Sequence, residues 1–176
     1  MILKSRTCGL ALVHVILLAA IPTCTARSGN EVEHKSNPTR PAIYDTKADG
    51  EKQIADALKI AASGNKRVLL QFGANWCVWC HRLHGLLKED ARVEAKLKES
   101  YELVLIDVDT VDGKQHNEKV DAKYGNPMKL GLPVLVVLDS DGKQLTTQST
   151  EVFEVEDHHD PVKILAFLEK WALPRN

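Results

Sequence analysis

A Cys-x-x-Cys pair between a short apolar run and an amphipathic stretch constrains this chain more than any other feature. Arg67 to Phe72 is mostly apolar, the pattern of a strand buried on both faces. Leu83, Leu86 and Leu87 then recur at helical spacing. Cys77 and Cys80 therefore fall where a strand gives way to a helix. There the first thiol meets unpaired amides and the positive end of the dipole, which favour thiolate over thiol. The second, three residues on, lies one turn along on the same face, close enough to form a disulfide. This reads as a redox pair.

The front of the chain bears on where such a pair works. Lys4 and Arg6 precede an apolar run from Leu10 to Ile21, and Cys24-Thr25-Ala26 ends in small residues. That is the layout of a secretory signal, residues 1–26, cleaved after Ala26. The run falls short of the ~20 residues a membrane span needs; an uncleaved anchor is the alternative. Lipid modification of Cys24 is disfavoured by its neighbours Pro22 and Thr23.

Cleavage removes two basic residues and no acid, leaving 21 basic against 24 acidic, a net charge of −3. Nothing in that balance suggests DNA, RNA or any other nucleic-acid partner. It also removes Cys8 and Cys24, so the mature chain keeps Cys77 and Cys80 alone. One tightly spaced pair does not make a disulfide-stapled scaffold. The rest is ordinary globular composition, 44% hydrophobic and 27% charged.

Along the mature chain, residues 27–46 read as a flexible polar leader and 47–173 as the folded domain. Asp49 caps a helix carrying an apolar stripe at Ile54, Ala57, Leu58 and Ala61, ended by Ser63-Gly64-Asn65. The helix after the cysteines is expected to continue through Asp90 to Ser100. Tyr101 to Asp107 is a second strand and Asp109 to His116 a polar loop. Asn117 to Tyr124 is a short helix that Gly125-Asn126-Pro127 breaks, leaving an insert up to Leu130. Pro133 to Leu138 is a third strand, turned by Asp139 to Gly142 into a hairpin. Asp160-Pro161 opens a last helix with Val162, Leu165, Leu168 and Trp171 on one side. His158-His159 reads as part of an exposed loop.

From about Lys47 to Ala172 the chain resembles the thioredoxin superfamily, and within it the periplasmic thioredoxin-like domains with Val after the first Cys. The resemblance is carried by Phe72-x-Ala74-x-Trp76-Cys77-x-x-Cys80, by Gly131-Leu132-Pro133 opening a strand, and by Asp139 to Lys143 as an Asp-x-x-Gly-Lys turn. It implies an α/β thioredoxin-like fold, a central mixed β-sheet flanked by helices. It also implies a thiol–disulfide oxidoreductase needing no cofactor or metal, with Cys77 and Cys80 as a redox-active disulfide. Pro133 would be a cis-proline facing the cysteines, and Trp76, Leu132 and Pro133 would contact an extended segment of a protein disulfide substrate.

Departures from the family pattern carry information too. Where the family usually has a buried Asp, six residues before the first Cys, this chain has Gln71, which cannot accept the second thiol's proton. Where some relatives have an acid four residues after the second Cys, it has His84. At i+4 on a helix His84 is placed over Cys80 as a candidate for proton transfer. Gly85 replaces a kinking proline. The dipeptide Val78-Trp79 is uncharged, which points to a reductant and hence to a membrane-bound electron donor in an oxidising compartment, periplasmic or extracellular.

Other readings stay open at this stage. Within the same fold the pair could serve an isomerase or oxidase. Cys77-x-x-Cys80-His81 is also the spacing of a c-type haem attachment with Met128 as a second ligand. Cys77, Cys80, His81 and His84 share a helical face; at 1.5 Å rise per residue all four span ~10 Å, too far for one zinc, though three of them could reach it. A non-catalytic binding module using Trp79 on a partner is the remaining alternative.

Overall fold

The computed structural model describes residues 40–174. The expected signal segment and most of the expected leader lie outside them. Among the described residues no helix is long and apolar enough to cross a membrane.

Helix α1 (Gly50–Ser63) starts where the sequence places it, with Asp49 accepting from Lys52 N, and Gly64 N–H closes it onto Ile60 O. Strand β1 (Arg67–Gly73) follows, then α2 (Val78–Glu89) and α3 (Ala91–Ser100). The expected single helix is two. Asp90 turns out of helical geometry, ends α2 through its N–H and caps α3, its carboxylate accepting from Arg92 N and Val93 N. An aspartate relieves unpaired amides better at a helix start than in a helix interior.

Strand β2 (Tyr101–Asp107) leads into a stretch read as a loop, where Thr110–Val111 (β3) and Lys114–Gln115 (β4) pair as a miniature hairpin. Helix α4 (Glu118–Lys123) and a 3-10 turn, Pro127–Leu130, precede strands β5 (Val134–Leu138) and β6 (Gln144–Ser149). A second 3-10 turn (Thr150–Phe153) and the two-residue strands β7 (Glu154–Val155) and β8 (His158–His159) lead to α5 (Pro161–Trp171).

The four long strands form one sheet in the order β2-β1-β5-β6. β1 runs parallel to β2 and antiparallel to β5, so the sheet is mixed as expected. Six of the seven β1 residues are buried, as a central strand covered on both faces requires.

Alternation along β1 sorts its side chains. Val68, Leu70 and Phe72 join Ile54, Ala57 and Ala61 of α1 and Val120 of α4 in one core. Leu69 faces the other way, into a core built from Leu83, Leu87, Val93, Leu97, Ile164, Phe167 and Leu168. Gln71 shares Leu69's face and comes up against α2. The expected face of the last helix is met in part. Leu168 is buried and Leu165 and Trp171 pack against the same core, whereas Val162 is 60% exposed and Ile164 and Phe167 are buried beside Leu168. Apolar residues occupy both sides of this helix, so periodicity alone does not select the face that meets the sheet.

Candidate active site

Strand β1 ends at Gly73, Ala74 to Trp76 turn the chain, and α2 begins. Cys77 is the residue that caps this helix. Its backbone is extended (φ −74°, ψ 108°) and its sulfur accepts from Cys80 N at 3.1 Å. A sulfur in that position sits against the partial positive charge of the helix end. Cys77 and Cys80 are joined by a disulfide, with Cα atoms 5.3 Å apart. Cys80 is wholly enclosed and Cys77 retains 5% exposure. Cys77 Sγ lies 3.6 Å from the Leu132 carbonyl oxygen, and the Leu132–Pro133 peptide is cis. The structure thus brings Trp76, Cys77, Cys80, Leu132 and Pro133 to one place, although they come from two distant parts of the sequence.

Two features of this site are absent from the sequence reading. The first is the segment Ile43–Tyr44, which falls in the stretch read as leader. Asn75 Oδ1 accepts from both Ile43 N and Tyr44 N, and its Nδ2 donates to Tyr44 O, each at 2.9 Å. Tyr44 is 2% exposed and packs with Cys77 and Cys80. Its hydroxyl accepts from Gln71 Nε2 at 2.7 Å. Burial, together with the nearby Asp107 carboxylate, pushes this phenol well above its ordinary pKa, against the opposing pull of the Gln71 hydrogen bond. It is a neutral hydroxyl throughout the working range.

The second is the wall around Trp79. His159 lies on β8, is 1% exposed, and meets Trp79 edge to face with ring centroids 5.2 Å apart. The pair is therefore not an exposed loop; only His158 faces solvent. Arg82 stacks on Trp79 at 4.6 Å and reaches toward Asp157 at 3.9 Å. Trp79 itself is half-buried by these contacts. The doublet His158-His159 gave no hint of this, because β7 and β8 are too short to show a period.

Charged and polar groups round the site are tied down. His81 Nε2 lies 2.8 Å from Asn75 O; a carbonyl can only accept, so this nitrogen carries the proton. A ring spent in this way, beside a disulfide-linked pair, does not suit the axial ligand of a haem. Trp76 Nε1 donates to Asp109 Oδ1 at 2.7 Å. Asp107, at the end of β2 and paired in register with Gly73, is 1% exposed and meets His116 Nδ1 at 2.7 Å. Its carboxyl is pushed up by burial, which the His116 contact only partly offsets. His84 Nδ1 is buried without a hydrogen-bond partner, and burial, then Lys88 and His81, lower this imidazole's pKa. Among the described residues no three His, Cys, Asp or Glu side chains are grouped to hold a metal ion.

A mixed sheet with a disulfide-linked Cys-x-x-Cys at the start of a helix, facing a cis-proline, defines a thiol–disulfide oxidoreductase domain of thioredoxin type. Comparison with known proteins agrees. A family model described as thioredoxin-like matches residues 49–140, and the chain belongs to that family. It is 30% identical over 143 residues to the disulfide bond reductase DsbH of Chlamydia pneumoniae, covering 77% of this chain and 81% of that one. It is 35% identical over 88 residues to the thiol:disulfide interchange protein DsbD of Actinobacillus pleuropneumoniae, of which it spans only 14%. Among solved structures, a disulphide isomerase from Xylella fastidiosa superposes with a TM-score of 0.62 at 32% identity. That match covers 74% of this chain and 96% of the other.

Proposed function

We propose that the chain reduces disulfides of exported proteins by dithiol–disulfide exchange, with Cys77 as nucleophile and Cys80 as resolver. The observation that carries this is the asymmetry of the pair: Cys77 Sγ sits at the open end of α2 and Cys80 is sealed behind it. In this reading the Cys77 thiolate attacks a substrate disulfide and forms a mixed disulfide. The Cys80 thiolate then attacks Cys77 Sγ and releases the reduced substrate. His84, one turn along α2 from Cys80, takes the resolving thiol's proton. Trp76, Leu132 and Pro133 form the rim that an extended substrate segment meets.

The reducing direction is supported by the uncharged Val78-Trp79 dipeptide and by likeness to a protein named a disulfide bond reductase. Work outside the cytoplasm, periplasmic or secreted, is supported by the signal-like residues 1–26, and in this reading a membrane-bound donor keeps the pair reduced. A disulfide isomerase is the second reading, favoured by the name of the Xylella relative. Equilibration against glutathione separates the two, the reductase being expected near −270 mV and an isomerase near or above about −180 mV. Cys80→Ser should accumulate protein-bound mixed disulfides in the exporting compartment, and Cys77→Ser none. Faster alkylation of Cys80 than of Cys77 at neutral pH would reverse the assigned roles.

A further inference from the structure

Gln71 stands where the superfamily usually keeps an acid beside the second cysteine, and its contacts decide what can replace that acid. Its Nε2 faces Cys80 O at 3.3 Å and Tyr44 Oη at 2.7 Å. A backbone carbonyl only accepts, so the amide nitrogen, not the oxygen, must point this way. Tyr44 Oη is consequently the acceptor in its bond with Gln71. The phenol's own proton is left to point elsewhere.

Cys80 sulfur is the polarisable group close by. A Cβ placed on Gly73 would collide with the Tyr44 hydroxyl and would stand 2.6 Å from Cys80 Sγ. The hydroxyl and the sulfur therefore both stand over the same bare Cα, and Tyr44 packs with Cys80 in one buried cluster. Tyr44 is locked there by its ring burial and by the three hydrogen bonds that Asn75 makes with residues 43 and 44, two accepted and one donated.

We infer that the Tyr44 hydroxyl donates a hydrogen bond to Cys80 sulfur in the reduced protein and so stabilises the resolving thiolate. The inference rests on the exchange reading above and names a further group for it. In the step concerned, Cys80 gives up its proton and its thiolate attacks Cys77 Sγ. The Cys77–Cys80 bond forms as the Cys77–substrate bond breaks. The substrate leaves as a thiolate that takes a proton from water, and two electrons pass from the dithiol to the substrate sulfurs. Tyr44 neither gains nor loses a proton. Its hydrogen bond favours the anion over the thiol, as any donor to a charged group does. Burial and the neighbouring Asp107 keep the phenol protonated, hence a donor. The other titratable groups round the pair are His81 and His84 on α2, and Asp107 with His116 beyond the end of β1.

The test uses the full chain, reduced, with Tyr44→Phe and with a fluorinated tyrosine placed at position 44 alone. Reaction with Ellman's reagent releases thionitrobenzoate twice, first on attack by Cys77 and then on resolution by Cys80. Separately, the ¹³Cβ shift of Cys80 is titrated by NMR. Tyr44→Phe should raise the Cys80 pKa by about one unit, a tenfold smaller thiolate fraction. The gain in nucleophilicity of a more basic thiolate returns part of this, so the second release should slow about threefold at pH 7 with the first unchanged. Fluorination makes the phenol a stronger donor without changing its packing and should move the Cys80 pKa the opposite way. A purely structural tyrosine would show no such opposed pair of shifts. If wild-type protein gives no first release, the exchange reading fails, and the Cys80 titration still decides Tyr44. An unmoved Cys80 pKa in the fluorinated protein, or in a folded Phe variant, overturns the inference.

Discussion

His159 sits edge-on against Trp79, buried, with neither ring nitrogen hydrogen-bonded. Burial, followed by the charge of Arg82 and the proximity of His158, depresses its pKa to about 4. The unfolded chain protonates this histidine below about pH 6.5 and the folded chain does not. The unfolded state therefore binds more protons across that window, and stability falls as pH drops from 6.5 toward 4. His84, also depressed, works in the same direction, whereas Asp107, raised, works in the opposite one. The informative quantity is the difference between proteins. His159→Phe keeps the aromatic contact and should flatten this acid loss in urea denaturation of the oxidised protein, with little change at pH 8.

Gly73 admits no side chain. A methyl group there would press on the Tyr44 hydroxyl and on Cys80 Sγ, one held by buried hydrogen bonds and the other by the disulfide. Overpacking of a rigid site costs about 1–3 kcal/mol, occasionally more. Gly73→Ala should lie at the upper end of that range by urea midpoint in the oxidised state. A midpoint within experimental error of wild type would mean the site is more yielding than this packing implies.

If His84 accepts the resolving proton, His84→Ala should slow the second thionitrobenzoate release and spare the first. Its lowered pKa, set mainly by burial, favours the neutral imidazole, the form able to accept, at neutral and higher pH. The wild-type second phase, corrected for thiolate fraction, should then stay level between pH 8 and 7. Identical second phases in the two proteins across this range would remove His84 from the mechanism.

Asn75→Ala removes three hydrogen bonds at once and leaves two backbone N–H groups and a carbonyl of the 43–44 segment without their partner. Because the region is only partly buried, water recovers some of the loss, and about 2 kcal/mol of destabilisation is expected. Amide exchange at Ile43 and Tyr44 should accelerate well before that of β1. Uniform acceleration throughout the domain would mean the clamp is not a local device.

Much of the fold is legible in the chain because its signals are local. The Asp49 cap, the apolar run of β1 and the Asp139 turn, whose carboxylate accepts from Lys143 N at 2.8 Å, each lie within a few residues of what they determine. The cysteine pair and the position of α2 are legible for the same reason. Tyr44 is not. It looks like one aromatic in a leader, and its burial depends on Gln71 and Asn75, 27 and 31 residues away. His159 escapes notice likewise, since its burial depends on Trp79, and so do Ile164 and Phe167 of α5, which complete the buried side that Leu165, Leu168 and Trp171 only begin.

The Asn75 clamp bears on where this domain can be cut. A fragment beginning at Lys47 would contain every strand and helix of the sheet assembly, both cysteines and all the residues that match the family model. It would still lack the phenol and one wall of the reaction chamber. If Tyr44 supports the resolving thiolate, such a protein would resolve its mixed disulfides sluggishly, and the defect would be blamed on the substrate. Expression boundaries for this chain belong upstream of Pro41, and activities measured on shorter versions describe a different chemical environment for Cys80.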